Sequence, residues 1–294
     1  MSVASARQHL GTPTAPPLDA LERHRDHHFR RVRHRRVSDE RAALGFIEEV
    51  GFCAAFTAGR GLPCLREAIE GRREPPLPEH IQHDRAILMT WNIKDILPAK
   101  KLVYYGKVLG GRPSFIARGL LAAFLRLRAE PRGYRALYER GLLSHCAKLV
   151  MEMLTRRGAA ETRTLKLAAG HAQPKQRGEF DHAMRELQEK FLALKVEERY
   201  DPFTYVWDTM EHRWGAALRA ARTLTASEAA YQVVRRYFEV AGFGNEHTVA
   251  RLLAIDPALV DRAARRLERE RMLRRALRVE GLLGEHSVLA NLTG

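Results

Sequence analysis

The amino-acid sequence predicts a mainly α-helical protein that carries small β-hairpins. In most segments apolar residues recur every three or four positions, which is the spacing of one helical face. Aromatic residues make up only 7% of the chain, which disfavours a large all-β sandwich. A third observation, an order of helices and strands that occurs twice, indicates how the helices are grouped.

Capping residues, glycine and proline divide the first half of the chain. Residues 1–18 are small and polar with several prolines, and we expect a flexible leader there. The basic, His-bearing tract at 21–36 is typical of a solvated helix, with phosphate contact as the alternative. A helix is predicted from the cap at 38–39 to the turn at Gly51. A second apolar helix is predicted at 116–127.

The second half of the chain contains one order of elements twice. Three helical patterns and then a β-like run occupy the segments 142–154, 162–170, 180–191 and 192–207. The same order recurs in the segments 227–242, 245–255, 256–272 and 272–292. Three helices followed by a two-stranded hairpin are the order of a winged helix. We therefore predict a mainly α fold with small β wings, built from tandem winged-helix (helix-turn-helix) modules.

Domain boundaries follow from this order. After the leader we place an N-terminal helical or winged-helix-like domain at 19–135, which holds the candidate site and a more divergent third copy of the unit. One winged helix occupies 136–222, and a C-terminal winged helix occupies 223–294.

Charge and composition limit the classes of function. The chain has 50 Lys and Arg against 35 Asp and Glu, a net charge of +15, which predicts a polyanionic partner. No apolar run reaches the roughly 18 residues of a membrane span, so a cytoplasmic protein is expected. The three cysteines lack a C-x-x-C spacing. Without a phosphate loop or a set of metal ligands, we expect neither a cofactor nor a metal.

Four ionisable residues lie in apolar sequence and are the catalytic candidates. They are Glu48 and Glu49 in FIEEVGF, and Lys94 and Asp95 in TWNIKDILP. A carboxylate among apolar residues can have a raised pKa and act as acid or base, and a partly buried lysine can become a nucleophile. Buried structural ion pairs explain the same pattern.

One DNA-binding candidate is the segment AKKLVYYGK. Here Lys100, Lys101 and Lys107 surround Tyr104 and Tyr105. This mixture of cations and rings can hold a DNA backbone and stack an unpaired base. A core position for the tyrosines is the alternative.

The other DNA-binding candidate is the third helix of the downstream module. Its apolar positions leave Arg262, Arg265, Arg266 and Arg269 on the outer face. Such a face can neutralise phosphates and approach a groove of DNA. Because glutamates interleave with these arginines, a solvated helix of Arg/Glu pairs is the alternative.

Several segments together resemble a known family. LGFIEEVGFCAAF, then TWNIKDILP, then FDHAMRELQEKFLALKV and YDPF resemble the winged-helix DNA glycosylases of the YcaQ/AlkZ type. That superfamily repairs alkylated and crosslinked DNA. The similarity covers roughly residues 20–280, and Trp91 with the Leu97-Pro98 pair matches best.

The resemblance also shows where this chain departs from the family. The family has a helix that leads into a Gln-apolar-Asp or Gln-apolar-Gln motif, which positions the hydrolytic water. The matching positions here are Glu48 and Val50, or Glu49 and Gly51, so the motif is not intact. The family's Trp-Gly-His-Glu-Ala segment corresponds to 91–95, with both polar residues changed. We expect no counterpart of the family's C-terminal β-barrel within these 294 residues.

The resemblance implies a DNA-binding protein that hydrolyses the N-glycosidic bond of a damaged base. Glu48 or Glu49 would aim the water and stabilise the oxocarbenium ion, whereas Lys94 with Asp95 would suit amine attack. A non-catalytic winged-helix DNA-binding protein or transcriptional regulator is the alternative, and the broken motif favours it. A protein-interaction scaffold is a third hypothesis, which predicts little salt-dependent affinity for DNA.

Overall fold

The protein is represented by a computed structural model, which describes residues 17–59, 61–171, 173 and 177–293. The leader predicted at 1–18 lies outside these residues except at its last two positions. Helices dominate, and three small antiparallel sheets accompany them, so the mainly α prediction is confirmed. No helix in the described part of the chain has both the length and the apolar character to cross a membrane.

The helices and strands of the described residues have the following bounds. The helices are α1 Leu18–His28, α2 Glu40–Val50, α3 Leu65–Glu70, α4 Arg85–Ala99, α5 Arg118–Arg128, α6 Gly133–Glu139, α7 His145–Arg157, α8 Thr162–Ala168, α9 Arg177–Glu189, α10 Met210–Thr223, α11 Ala226–Ala241, α12 Glu246–Leu253 and α13 Pro257–Arg269. The strands are β1 Phe52–Ala54, β2 Val103–Leu109, β3 Arg112–Ala117, β4 Ala160–Glu161, β5 Ala193–Tyr200, β6 Phe203–Thr209, β7 Phe243–Gly244, β8 Leu273–Arg278 and β9 Glu285–Leu289.

One order of elements occurs three times. A helix, a very short strand, two more helices and a β-hairpin follow each other in residues 40–117, 145–209 and 226–289, which we call the first, second and third units. In each sheet the last strand of the unit lies in the middle, between the short strand and the other strand of the hairpin. Helices α5 and α10 connect the units and pack against each other.

Local capping explains where several of these helices begin and end. The side chain of Asp39 accepts a hydrogen bond from the backbone N–H of Ala42 at the start of α2, and Gly51 ends that helix at φ +80°. Thr225 and Glu228 form a reciprocal capping box at the start of α11. These signals are readable in the sequence, which is why the boundaries of these helices were predictable.

The segment around Tyr104 and Tyr105 is the strand β2, so the two tyrosines lie on opposite faces of a sheet. Side chains alternate across β2: Tyr104 is fully buried, whereas Tyr105 is partly exposed on the other face. Gly106 leaves room for the Tyr104 ring, because a Cβ there would lie 2.6 Å from the Tyr104 hydroxyl oxygen. The helix predicted at 116–127 begins two residues later, since Ile116 still pairs in β3.

The sheet of the first unit is packed on both faces. Along β1, Phe52 and Ala54 join a large hydrophobic cluster that also contains the core of the third unit, while Cys53 joins a cluster of the first unit alone. The second unit has a hydrophobic core of its own, which includes Leu165 and Phe180. The three cysteines are buried free thiols.

The basic tract at 21–36 is only partly solvated, which corrects the expectation of a solvated helix. Helix α1 packs on α11, and Arg25 is 6% exposed. Its guanidinium donates hydrogen bonds to the backbone carbonyls of Ala241 (3.2 Å) and Phe243 (2.8 Å). The sequence pattern misses this because arginine can bury its stem and satisfy its N–H groups on backbone carbonyls.

Candidate nucleic-acid interface

A groove of about 1170 Å³ runs between the first and second units. Its walls are formed by α4, β2 and β3 on one side and by α8, α9, β5 and β6 on the other. The residues that line it are Trp91, Lys94, Tyr105, Lys107, Pro113, Thr162, Arg163, Lys166, Leu167, Arg177, Phe180, Asp181, Met184, Arg185, Gln188, Lys195, Glu198, Tyr200, Phe203, Thr204, Tyr205 and Trp207.

The groove combines positive charge with aromatic rings. Seven of its lining residues are Lys or Arg and two are acidic, so its wall is electropositive. Seven others are aromatic, among them Trp91, which is 39% exposed. Cations that hold phosphates and rings that stack on unpaired bases are the two components of single-stranded nucleic-acid sites.

A network of two amines and two carboxylates joins the walls of the groove. Lys94 Nζ lies 2.8 Å from Asp95 Oδ1 and 2.5 Å from Glu198 Oε1. On the opposite wall, Lys195 Nζ lies 3.4 Å from the same Asp95 oxygen and also pairs with Glu198. The Tyr200 hydroxyl lies 2.8 Å from Asp95 Oδ2 and 3.1 Å from Glu198 Oε2, so the two carboxylates share its one proton. We call these five residues the groove network.

A β-bulge places two members of the groove network on the same side of β5. In a regular strand, Lys195 and Glu198 would point to opposite faces because they are three residues apart. The pairing of β5 with β6 shifts register between Lys195 and Glu197, and the extra residue, Val196, brings both side chains to the groove. Sequence alternation gives no sign of this shift, so Lys195 and Glu198 were absent from the predicted site.

The two lysines of the groove network have shifted pKa values of opposite sign. Burial lowers the pKa of Lys94, but hydrogen bonds to Asp95 and Glu198 outweigh burial and leave that pKa above its ordinary value. Burial is also the largest influence on Lys195, and together with the nearby Lys94 charge it holds the Lys195 pKa below its ordinary value. Lys94 therefore stays protonated, and Lys195 is the amine that loses its proton more readily.

The Glu198 carboxylate of the groove network remains ionised at neutral pH. Burial raises the pKa of Glu198, but the hydrogen bonds from Lys195 and Lys94 outweigh it, and the net pKa lies below the ordinary value. Only 6% of the Glu198 side chain is exposed. A carboxylate of this kind places negative charge at a fixed position beside an electropositive groove.

Comparison with known proteins identifies the family. A sequence profile described as AlkZ related matches residues 37–254 of the chain. The chain belongs to the AlkZ-related family. Among solved structures, the DNA glycosylase AlkZ of Streptomyces sahachiroi is similar with a TM-score of 0.60 and 12% sequence identity, over 95% of this chain and 71% of that one. At this identity the likeness concerns the fold. No curated protein matches the chain in sequence.

Glu48 and Glu49 lie away from the groove in this AlkZ-related chain. Glu48 is exposed near the end of α2. Glu49 accepts hydrogen bonds from Arg30 (2.7 Å) and Arg35 (3.3 Å). The structure thus places Glu49 in an ion cluster that holds the N-terminal tract to α2, and neither glutamate lines the groove.

The structure also describes the positions where the resemblance places the water-positioning motif. These positions are Glu48 and Val50, or Glu49 and Gly51, and they lie in the last turns of α2 and at its end. Val50 is buried and Gly51 has no side chain, so neither supplies the second polar group of the motif. The groove network, on α4 and β5, places amines and carboxylates at the groove.

The lysine and tyrosine segment is divided by the strand that carries it. Tyr105 and Lys107 line the groove. Tyr104 is buried in the main hydrophobic cluster, which rules out contact with DNA and corrects the prediction for this residue. Lys100 is exposed and pairs with Glu40 (2.6 Å), and Lys101 is exposed nearby, outside the groove.

The arginines of α13 form a separate basic face on the third unit. Arg262, Arg265, Arg266 and Arg269 are all exposed. Arg265 pairs with Asp261 (3.0 Å), and Arg266 pairs with Glu270 (2.9 Å). Within the described residues Arg262 and Arg269 form no ion pair, so their charge is available to a partner.

Proposed function

We propose that this member of the AlkZ-related family is a DNA-repair protein that binds damaged double-stranded DNA and hydrolyses the N-glycosidic bond of an everted base. The observation that carries the proposal is the groove, which joins seven cationic side chains, seven aromatic side chains and a buried carboxylate. The cations hold phosphates, and the rings receive a base that has left the stack.

In this proposal Glu198 is the catalytic carboxylate. Cleavage of the glycosidic bond develops positive charge on the sugar, and a fixed carboxylate stabilises that charge and directs a water molecule to the sugar carbon. Lys94 and Tyr200 hold the two Glu198 oxygens in place through hydrogen bonds of 2.5 and 3.1 Å. Asp95, which accepts from the same lysine and tyrosine, fixes their orientation.

We further propose that the three units are winged helices with the domain ranges given by the sequence. The support is their shared order of elements and the central position of the last strand in each sheet. The first two units then supply the groove, and the third supplies a second phosphate-binding face on α13. Arg262 and Arg269 are the residues of that face that we expect to contact DNA.

The experiment measures release of free base from a duplex that carries alkylated purines, together with a salt titration of binding to the undamaged duplex. We expect release by the wild type. The slope of log affinity against log salt concentration measures the number of phosphate contacts, at about 0.9 per contact. Each of the double variants K107A/R163A and R262A/R269A should therefore make this slope less steep by about two, because each removes two cationic side chains. Only the groove variant should also slow release at saturating DNA.

A second candidate function is DNA binding without chemistry. The observation that favours it is the incomplete motif on α2, because the second polar position of the family's motif is occupied by the buried Val50 or by Gly51. Salt-sensitive binding without any base release by the wild type would establish this alternative. Absence of salt-sensitive binding would contradict both functions.

A further inference from the structure

Both lysines of the groove network line the groove, but their surroundings differ. Lys94 is held by Asp95 and Glu198 at 2.8 and 2.5 Å. Lys195 lies between two rings that line the groove, with its Nζ 5.3 Å from the centre of the Tyr105 ring and 5.2 Å from that of Tyr205. An aldehyde that enters the groove beside these rings would approach the Lys195 amine.

We propose that Lys195 is a nucleophile that forms an imine with the aldehyde of an abasic site in DNA, which gives the protein an abasic-site lyase activity. The inference rests on the proposed function in one respect, namely that the same groove holds DNA. It does not require that the protein itself remove the base. The ligand class is therefore a duplex that already contains a ring-opened abasic deoxyribose.

The chemistry needs no reagent other than water. The neutral Lys195 amine attacks C1′ of the aldehyde, and the two amine protons leave with the carbonyl oxygen as one water molecule. The imine acidifies C2′, whose proton passes to a carboxylate, and Glu198 is the groove carboxylate next to Lys195. The bond between C3′ and its oxygen then breaks, and the 3′ phosphate leaves with the electron pair. Hydrolysis by one water returns the amine and an unsaturated aldehyde.

The surroundings of Lys195 favour the neutral amine that this step requires. Of the side chain, 11% is exposed, and burial is the main cause of its lowered pKa. The groups that face it are Lys94 and Asp95 from α4, Tyr105 from β2, and Glu198 and Tyr205 from the hairpin of the second unit. The Lys94 charge opposes protonation of Lys195, and the carboxylates favour it.

The test uses the full-length protein, a labelled duplex with one abasic deoxyribose, and sodium borohydride, which reduces an imine to a stable covalent bond. We expect a covalent protein–DNA product with the wild type and a nicked strand when borohydride is omitted. K195R keeps the positive charge but has no primary amine, so it should still bind the duplex while trapping falls at least about tenfold. K148A removes a lysine of the same unit outside the groove, on α7, and should trap like the wild type.

The outcomes separate this inference from the proposed function. Binding of the abasic duplex with no trapped product would overturn the lyase inference and leave the glycosylase proposal standing. Trapping that persists in K195R would overturn the inference, because another amine would then form the imine. Trapping that is lost in K94R but retained in K195R would assign the nucleophile to Lys94 and would overturn the inference as well. Absence of any binding to the abasic duplex would contradict both the inference and the proposed function.

Discussion

Two helices of the first unit each carry two consecutive ionisable residues in an apolar sequence, and their surroundings differ. On α2, Glu48 is exposed and Glu49 is neutralised by arginines of the N-terminal tract. On α4, Lys94 and Asp95 contact a hairpin that lies about a hundred residues later in the chain. Glu49 of the first pair holds α2 to the N-terminal tract, and the second pair contributes to one wall of the groove.

The comparison shows that the role of an ionisable pair in an apolar helix depends on the segment that packs against it. The helical pattern reports only that one face is buried. In the α2 pair a carboxylate meets guanidinium groups and forms a closed cluster. In the α4 pair an amine and a carboxylate meet a second amine and a second carboxylate, and one side of that arrangement is open to a ligand.

The largest expected effect comes from a comparison of Glu198 in the groove network with Glu48 on α2. E198Q should lower the rate of base release by about 100- to 1000-fold, because the amide cannot stabilise the positive charge of the transition state. E48Q should release base at the wild-type rate, since Glu48 is exposed and outside the groove. Single-turnover kinetics on an alkylated duplex measures both. Equal loss in the two variants would remove the distinction between the regions.

The next effect concerns stability and belongs to the α2 pair. E49Q leaves Arg30 and Arg35 without their anionic partner, so we expect a loss of about 1–2 kcal/mol in the free energy of unfolding. The matched variant E48Q should change stability by less than about 0.5 kcal/mol. Urea denaturation followed by circular dichroism gives both values. A neutral E49Q would show that the ion cluster contributes nothing to the fold.

The two regions should also respond to acid at different pH. The pKa of His28 is lowered from 6.5 to about 4, mainly by burial and further by the neighbouring His24 and His27. Because the unfolded chain binds this proton more readily, stability falls as the pH drops from 6.5 towards 4. Allowing for partial exposure, the loss between pH 7 and 5 is about 1 kcal/mol.

The groove network should respond only at lower pH. The pKa of Glu198 is lowered, so the stability that it contributes is present above the unfolded pKa near 4.5 and is lost as the pH falls below it. Melting temperatures at pH 7, 5 and 3.5 test the two windows. H28Q should shrink the drop between pH 7 and 5, and E198Q only the drop below 4.5. An identical pH profile for H28Q and the wild type would contradict this assignment.

The smallest expected effect contrasts the two faces of β2. The buried Tyr104 hydroxyl makes no hydrogen bond within the described residues, so Y104F should leave stability unchanged or raise it by up to about 1 kcal/mol. Y105A removes a ring that lines the groove and also packs against the first unit's cluster, so it should weaken binding to a duplex with an unpaired base and lower stability as well. Thermal melts and fluorescence anisotropy measure the two effects. Weakened DNA binding by Y104F would place that ring in the groove.

Much of the fold could be predicted from the sequence because its helices are amphipathic and end at polar caps or glycine. Apolar spacing and turn residues also indicated the hairpins of the second and third units. The strand β2 was harder, because Tyr104 and Tyr105 are compatible with either period until the hairpin turn at Gly110 and Gly111 is recognised. Arg25 was misjudged because its charge predicts exposure while its stem and N–H groups permit burial.

The candidate site was only half predictable for a different reason. Lys94 and Asp95 stand out as ionisable residues in an apolar helix. Lys195 and Glu198 lie in a run of mixed polar residues, where only the bulge at Val196 decides which side chains share a face. Their contact with α4 is a long-range event with no local trace in the sequence. The packing of segments that are distant in the sequence therefore determines which residues form the site.

The contacts between the first and second units limit how far the groove can open. The large hydrophobic cluster contains Tyr104 of the first unit together with Phe191 and Leu194 of the second, so the two units share buried apolar contacts. Arg128 adds a polar contact, since its guanidinium donates to the carbonyls of Val108 in the first unit (2.5 Å) and Glu189 in the second (3.0 Å). Full separation of the two walls would expose these apolar side chains to water, which is unfavourable. We therefore expect a bulky lesion to be accepted by rearrangement of side chains in the groove rather than by separation of the two units.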